Sequence, residues 1–118
     1  MLRVAAGLAL ASLSLAACGH SGYAVRPMPQ IAKDSVGKPV SRLQDALGAP
    51  RKIDTTPNKL LYVWFLEDKP AGAPAGFHGC ELEMTVDARS ERVLGYTLSN
   101  MGWTKCADIK RKIDITER

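Results

Sequence analysis

The chain has 118 residues, 16 Lys+Arg against 12 Asp+Glu, and a formal net charge of +4. That length buries one hydrophobic core and excludes a multidomain protein. The basic excess is mild and scattered, which excludes the dense positive patch of a nucleic-acid binder.

The first element is a leader. Met1-Leu2-Arg3 forms a short positive region, and Val4 to Leu15 is uncharged and apolar. The run is about a dozen residues, short of the ~20 that span a bilayer, so it reads as an export signal rather than a transmembrane helix. Leu15-Ala16-Ala17-Cys18 follows directly. This resembles the lipobox of bacterial lipoprotein precursors. The alternative is an ordinary secretory signal followed by an incidental cysteine. The resemblance implies cleavage before Cys18, a diacylglyceryl group on its thiol and an acyl chain, such as palmitate, on its new amino end. Two or more acyl chains anchor a protein stably where one does not. Residues 1–17 are then a signal peptide, and Gly19 after the anchor, in place of an acidic residue, favours the outer membrane of a Gram-negative envelope. Loss of Arg3 leaves a mature charge of +3, from 15 basic and 12 acidic residues.

Residues 18–36 are rich in Gly, Pro and Ser and show no periodicity, so they read as a lipidated flexible tether. Pro27 and Pro29 argue against a helix there. The folded domain is expected over 37–118. A helix from about Pro39 to Leu47 opens it, with Val40, Leu43, Ala46 and Leu47 on one face. Pro39 suits the first turn, Gly48 stops the helix and Pro50 prevents its continuation.

Leu60 to Leu66 is apolar on both faces and reads as a central strand. Glu67 to Gly79, with its prolines and glycines, reads as a flexible loop. Cys80, Leu82, Met84 and Val86 alternate with Glu81, Glu83, Thr85 and Asp87, the pattern of a half-buried strand. After a turn at 87–90, Arg92 to Ser99 forms a third strand with Leu94, Tyr96 and Leu98 inward. The tail beyond Cys106 suits a short helix or a frayed end, and its Lys110-Arg111-Lys112 cluster, among Asp108, Asp114 and Glu117, reads as solvated surface. The expected architecture is α+β: a short helix or helix pair packed on a three-stranded antiparallel meander.

With Cys18 given to lipid, Cys80 and Cys106 remain. An exported chain lives where disulfides persist, and an even remainder suggests pairing. A bridge would close a loop of about 27 residues, worth roughly 3.5 kcal/mol in the chain-entropy account. Free thiols and a metal site are the alternatives. There is no C-x-x-C, and His78-Gly79-Cys80 has no partner cluster.

Motifs for chemistry are sparse. His20 lies beside the anchor and His78 in the Gly-rich loop, neither within a catalytic pattern. Glu81 and Glu83 share a strand face, which reads as solvated rather than as an acid–base pair. The glycines of 72–79 lack the strand–helix context of a phosphate loop. The residues therefore suggest no enzyme, no metal, no cofactor beyond the acyl groups and no small-molecule substrate. Tyr62 and Trp64 read as packing residues. Phe77 and Trp103 lie in connections, where an aromatic can equally cap the sheet or anchor a partner.

Gly37, Leu43, Leu47-Gly48-Ala49-Pro50, Leu61-Tyr62-Val63-Trp64-Phe65 and Leu82-x-Met84-x-Val86-Asp87 together resemble the SmpA/OmlA (BamE-like) family of small outer-membrane lipoproteins. The likeness covers roughly Gly37 to Leu98. It implies helices on a three-stranded antiparallel sheet, and a periplasm-facing, lipid-anchored, non-enzymatic module. The implied partner is another envelope protein, in β-barrel assembly or envelope integrity. An inhibitor-like or peptidoglycan-binding lipoprotein of the same fold, with 67–79 as its recognition loop, is the alternative.

Overall fold

A computed structural model describes residues 22–116. The signal peptide, Cys18 and His20 lie outside the described residues. The described chain is α+β, with two helices, a four-stranded antiparallel sheet in the order β2-β3-β4-β5, and a two-stranded sheet formed by β1 and β6.

The first correction concerns the expected tether. Strand β1 covers Tyr23–Pro27 and helix α1 covers Met28–Ser35. Met28, Ile31, Ala32 and Ser35 are buried, a spacing of three, four and seven that puts them on one helical face. The prolines permit this helix. Pro27 is its N-cap and Pro29 sits in the first turn, where a backbone N–H has no intrahelical acceptor to lose. The Met28 N–H is satisfied from outside, by the Ile109 carbonyl at 2.9 Å. The fold thus begins at the near end of 18–36, and 18–21 lie outside the described residues.

Helix α2 covers Ser41–Leu47, with Pro39 and Val40 at its entry. Leu43 is fully buried and Ala46 and Leu47 pack against the core, as expected. Gly48 ends the helix at φ +85° and ψ −170°, a region essentially reserved for glycine. Before the helix, Gly37 and Lys38 dock on the start of the last long strand: Gly37 N–H donates to Val93 O and Val93 N–H to Lys38 O.

Strand β2 (Lys52–Thr55) pairs with β3 (Lys59–Glu67), so the meander has four strands rather than three. All four β2 residues are exposed, and the strand lacks the apolar alternation that marks the others. β3 pairs with β4 (Gly79–Asp87), and β4 with β5 (Val93–Met101). The alternation of β4 holds throughout: Cys80, Leu82, Met84 and Val86 are buried, while the residues between them are half-buried.

In β5 the expected inward row needs correction. The register shifts at Thr85/Val86, so Val86 pairs with Val93 and Thr85 with Gly95, leaving Leu94 as the extra residue of a bulge. Val93 takes the core position and Leu94 is half exposed. Tyr96 lies opposite Met84 but stays 38% exposed at the sheet edge; Leu98, opposite Leu82, is partly buried.

The turn between β4 and β5 is built on Asp87, whose carboxylate accepts from the Arg89 and Ser90 N–H groups and from the Ser90 hydroxyl. The Ser90 hydrogen bonds hold its carboxyl below the usual value. Glu91 sits at φ +59° to complete the turn.

The tail is neither frayed nor only helical. A 3-10 turn at Cys106–Asp108 leads to β6 (Lys110–Asp114), which pairs antiparallel with β1 from Tyr23↔Asp114 to Pro27↔Lys110. One core joins the layers. Met28, Ile31, Val40 and Leu43 of the helical layer meet Tyr62, Trp64, Leu82 and Met84 of the sheet, and Ile109 and Ile113 close it from the tail.

Candidate binding surfaces

Three places in the fold gather functional groups. The first is the end of the four-stranded sheet where the 67–79 loop meets the Cys106 turn. Cys80 and Cys106 form a disulfide with Cα atoms 4.8 Å apart. It joins the start of β4 to the 3-10 turn, and the Cys106 N–H donates to the Asn100 side chain at 2.7 Å.

His78, expected in a mobile loop, is 3% exposed and organises that loop. Its Nδ1 accepts the Trp103 N–H at 2.8 Å, so Nδ1 carries no proton in this arrangement. Nε2 therefore holds the hydrogen and donates to Pro74 O at 2.8 Å. The Asp68 N–H donates to the His78 carbonyl, and the buried Thr104 hydroxyl donates to Asp68 O. The loop is fixed at both ends and from within. Glycine is required on either side: a Cβ at Gly79 would meet the Leu66 carbonyl, and one at Gly102 the His78 ring.

The two candidate partner contacts come together around this histidine. Phe77 is half-buried and packs edge-on against Phe65, with centroids 5.7 Å apart. Arg51 lies over the Phe65 ring at 5.7 Å. Trp103 stands edge-on to His78 at 6.1 Å and remains 60% exposed. Phe77 thus packs on Phe65, whereas Trp103 presents its indole to solvent from a pinned backbone. The sequence offered no signal for His78 as the support of Trp103, because that backbone group lies 25 residues further along the chain.

The residues of the fold motif form a second group, and it is internal. The Trp64 indole N–H donates to Gly48 O at 3.0 Å. Tyr62 lies 5.9 Å from Trp64 and both are buried. Leu43 is fully buried, Leu47 packs on the core, Pro50 is half-buried, and Gly37 holds the β5 edge. These residues support the fold and offer little surface.

The third is a cleft of about 200 Å³ between α2 and the β1–β6 ribbon, bordered by Tyr23, Lys38, Arg42, Asp45 and Lys112. Arg42 Nε donates to the Asp114 carbonyl at 2.9 Å, tying the helix to β6. The Lys112 ammonium lies 5.2 Å from the Tyr23 ring centroid, a cation–π contact. This cleft was not foreseen, since its β1 and β6 walls were read as tether and tail.

Glu81 and Glu83 are half-buried on the outer face of β4, opposite Ser99 and Thr97. Among the described residues, no group of three or more His, Cys, Asp or Glu is placed to hold a metal ion. Among the same residues, no helix is long and apolar enough to cross a membrane. No protein-family model, curated protein or solved structure matches the chain.

Proposed function

We propose that the chain is a lipoprotein held by Cys18 on the periplasmic face of a Gram-negative outer membrane. Its α+β domain acts without catalysis, as a binding module for another envelope protein, in β-barrel assembly or envelope integrity. The anchoring half of this reading rests on Leu15-Ala16-Ala17-Cys18. The SmpA/OmlA resemblance adds the assembly role, and two helices ahead of three long antiparallel strands are compatible with the layout it implies.

The observation that carries the binding half is Trp103. A large aromatic left 60% exposed on a backbone fixed by His78 loses little freedom on binding, which is the property of a contact hot spot. A photo-crosslinking residue at position 103 of the lipidated protein, in cells, tests the reading. Crosslinks to barrel-assembly components support it. Crosslinks to a soluble enzyme, or sedimentation of the protein with peptidoglycan and no protein crosslink, replace it with the inhibitor-like or cell-wall reading. Cys18→Ser should release the protein from membranes and abolish lipid labelling.

A further inference from the structure

We infer that two copies of this chain pair edge to edge through β5, antiparallel about a two-fold axis at Thr97, and so join their four-stranded sheets into one. The inference depends on neither the anchor nor the envelope partner proposed above.

The two edges of the four-stranded sheet differ. Its outer strands are β2 and β5. An edge strand presents unpaired N–H and C=O groups to any other chain, and folded proteins protect it with shortness, charge or proline. β2 has all three protections. It is four residues long, carries Lys52 and Asp54 as an ion pair at 3.5 Å, and lies between Pro50 and Pro57. β5 has none of them. Its nine residues, Val93–Met101, include no charged side chain and no proline.

Both ends of β5 are covered from within the chain. Val93 exchanges backbone hydrogen bonds with Gly37 and Lys38. At the other end Met101 bridges to Thr104, and the Asn100 side chain accepts the Cys106 N–H. Between these covers, 94–99 have no strand beyond them among the described residues. Leu94 is 50% and Tyr96 38% exposed along this opening. An added strand must fit between the covers, and the opening has the length of an ordinary strand.

The strand whose chemistry matches is β5 itself. Thr97 is the midpoint of Val93–Met101. A two-fold axis there sets Thr97 against its own counterpart, Tyr96 against the second copy's Leu98, and Gly95 against its Ser99. Threonine pairs hydrogen-bond across strands, and the tyrosine and leucine side chains make an apolar pair. With no charge on the strand, no like-charge pair arises when it meets its copy. Tyr96 lies opposite Met84, on the core side of the sheet, so the pairing continues that side and covers the exposed part of the ring. The contact is isologous and uses both β5 edges, leaving two protected β2 edges outside, so assembly stops at two copies.

The test is cysteine cross-linking of the purified full chain under a mild oxidant, read on a non-reducing gel, with the wild type as blank. Directly opposed residues have Cβ atoms about 4.5–5.5 Å apart, within easy adjustment of disulfide geometry. Thr97→Cys should therefore lose most of its monomer band to a linked dimer. Ile53→Cys, on the protected edge and 47% exposed, should stay monomeric. Gly95→Cys and Ser99→Cys give the register. A Cβ at Gly95 meets nothing within 4 Å, so the variant keeps the fold. Each alone should stay monomeric, because the axis separates like positions by four residue steps, about 14 Å. Mixed and carrying different tags, the two should link to each other. Absence of a dimer from Thr97→Cys overturns the inference. So does equal linking of Ile53→Cys, which marks random collision, and so does self-linking of Ser99→Cys without the mixed product.

Discussion

The Trp64 indole N–H donates to the Gly48 carbonyl at 3.0 Å, joining the end of α2 to the middle of the central strand. Helix termini leave carbonyls without intrahelical donors, and here a buried side chain from another layer contributes nearby. The bond also fixes how the helix lies on the sheet. Gly48→Ala should cost about 1–3 kcal/mol from backbone strain alone, because a Cβ there meets nothing within 4 Å. Trp64→Phe should cost a similar ~1–3 kcal/mol through the lost bond and the smaller ring. Urea unfolding of both variants and their double should give a non-additive sum, since a glycine cap out of place cannot present its carbonyl. Strict additivity would sink the coupling.

Ile31 decides whether residues 28–35 belong to the fold. It is 1% exposed in the shared core. Ile31→Ala should destabilise the domain by about 2–5 kcal/mol, the range for emptying a packed aliphatic site. A substitution in a true tether would leave the urea midpoint where it was.

The Cys80–Cys106 bridge should behave as a single unit. Cys80→Ser, Cys106→Ser and the double variant should lower the melting temperature by nearly the same amount, with a stability loss of about 2–5 kcal/mol. Losses that add between the two single variants would show that the thiols act separately.

His78 ties two backbone groups, and its replacements should separate them. His78→Ala leaves the Trp103 N–H and the Pro74 carbonyl without their partner, at a cost of about 1–3 kcal/mol. Hydrogen exchange at Trp103 should accelerate strongly in that variant. His78→Asn keeps an acceptor near the Nδ1 position and should retain more protection at Trp103 than Ala does. Equal exchange in both would remove the role given to Nδ1.

Asp87 makes the β4–β5 turn sensitive to acid. Its carboxyl is held below the usual aspartate value, chiefly by the Ser90 backbone and side-chain hydrogen bonds. A group with a depressed folded value favours the native state above the unfolded value and loses that contribution as pH falls through the folded one. Wild-type stability should therefore decline below about pH 4 more steeply than that of Asp87→Asn, with the difference vanishing at the acid extreme. Parallel stability curves between pH 5 and pH 2 would contradict this.

The strands with alternation were readable because burial on one face writes itself into every second residue, as from Cys80 to Val86. The helix ending at Gly48 was readable because glycine and Pro50 punctuate it. Three things resisted. Helix α1 carries Met28, Ile31, Ala32 and Ser35 at helical spacing, but two prolines beside it outweighed the period until Pro29 is placed in the first turn. β2 and β6 are short, polar strands without apolar alternation, and β6 is held by a partner at the far end of the fold. The bulge that turns Leu94 outward follows from pairing with β4, which no single strand encodes. At the site, the disulfide followed from counting cysteines. The buried His78 did not, because its loop closes on the Trp103 backbone, 25 residues further along the chain.

The pairing of β1 with β6 also governs when the protein can fold. Tyr23 meets Asp114, so the first strand finds its mate only after nearly the whole chain has been made. Ile109 and Ile113 close the core from the same late segment. A chain made amino end first therefore keeps the apolar face of α1 incompletely covered until β6 follows, and long-range closure of this kind is slow. Such a polypeptide stays loose through most of its synthesis and seals its core last, at the ribbon.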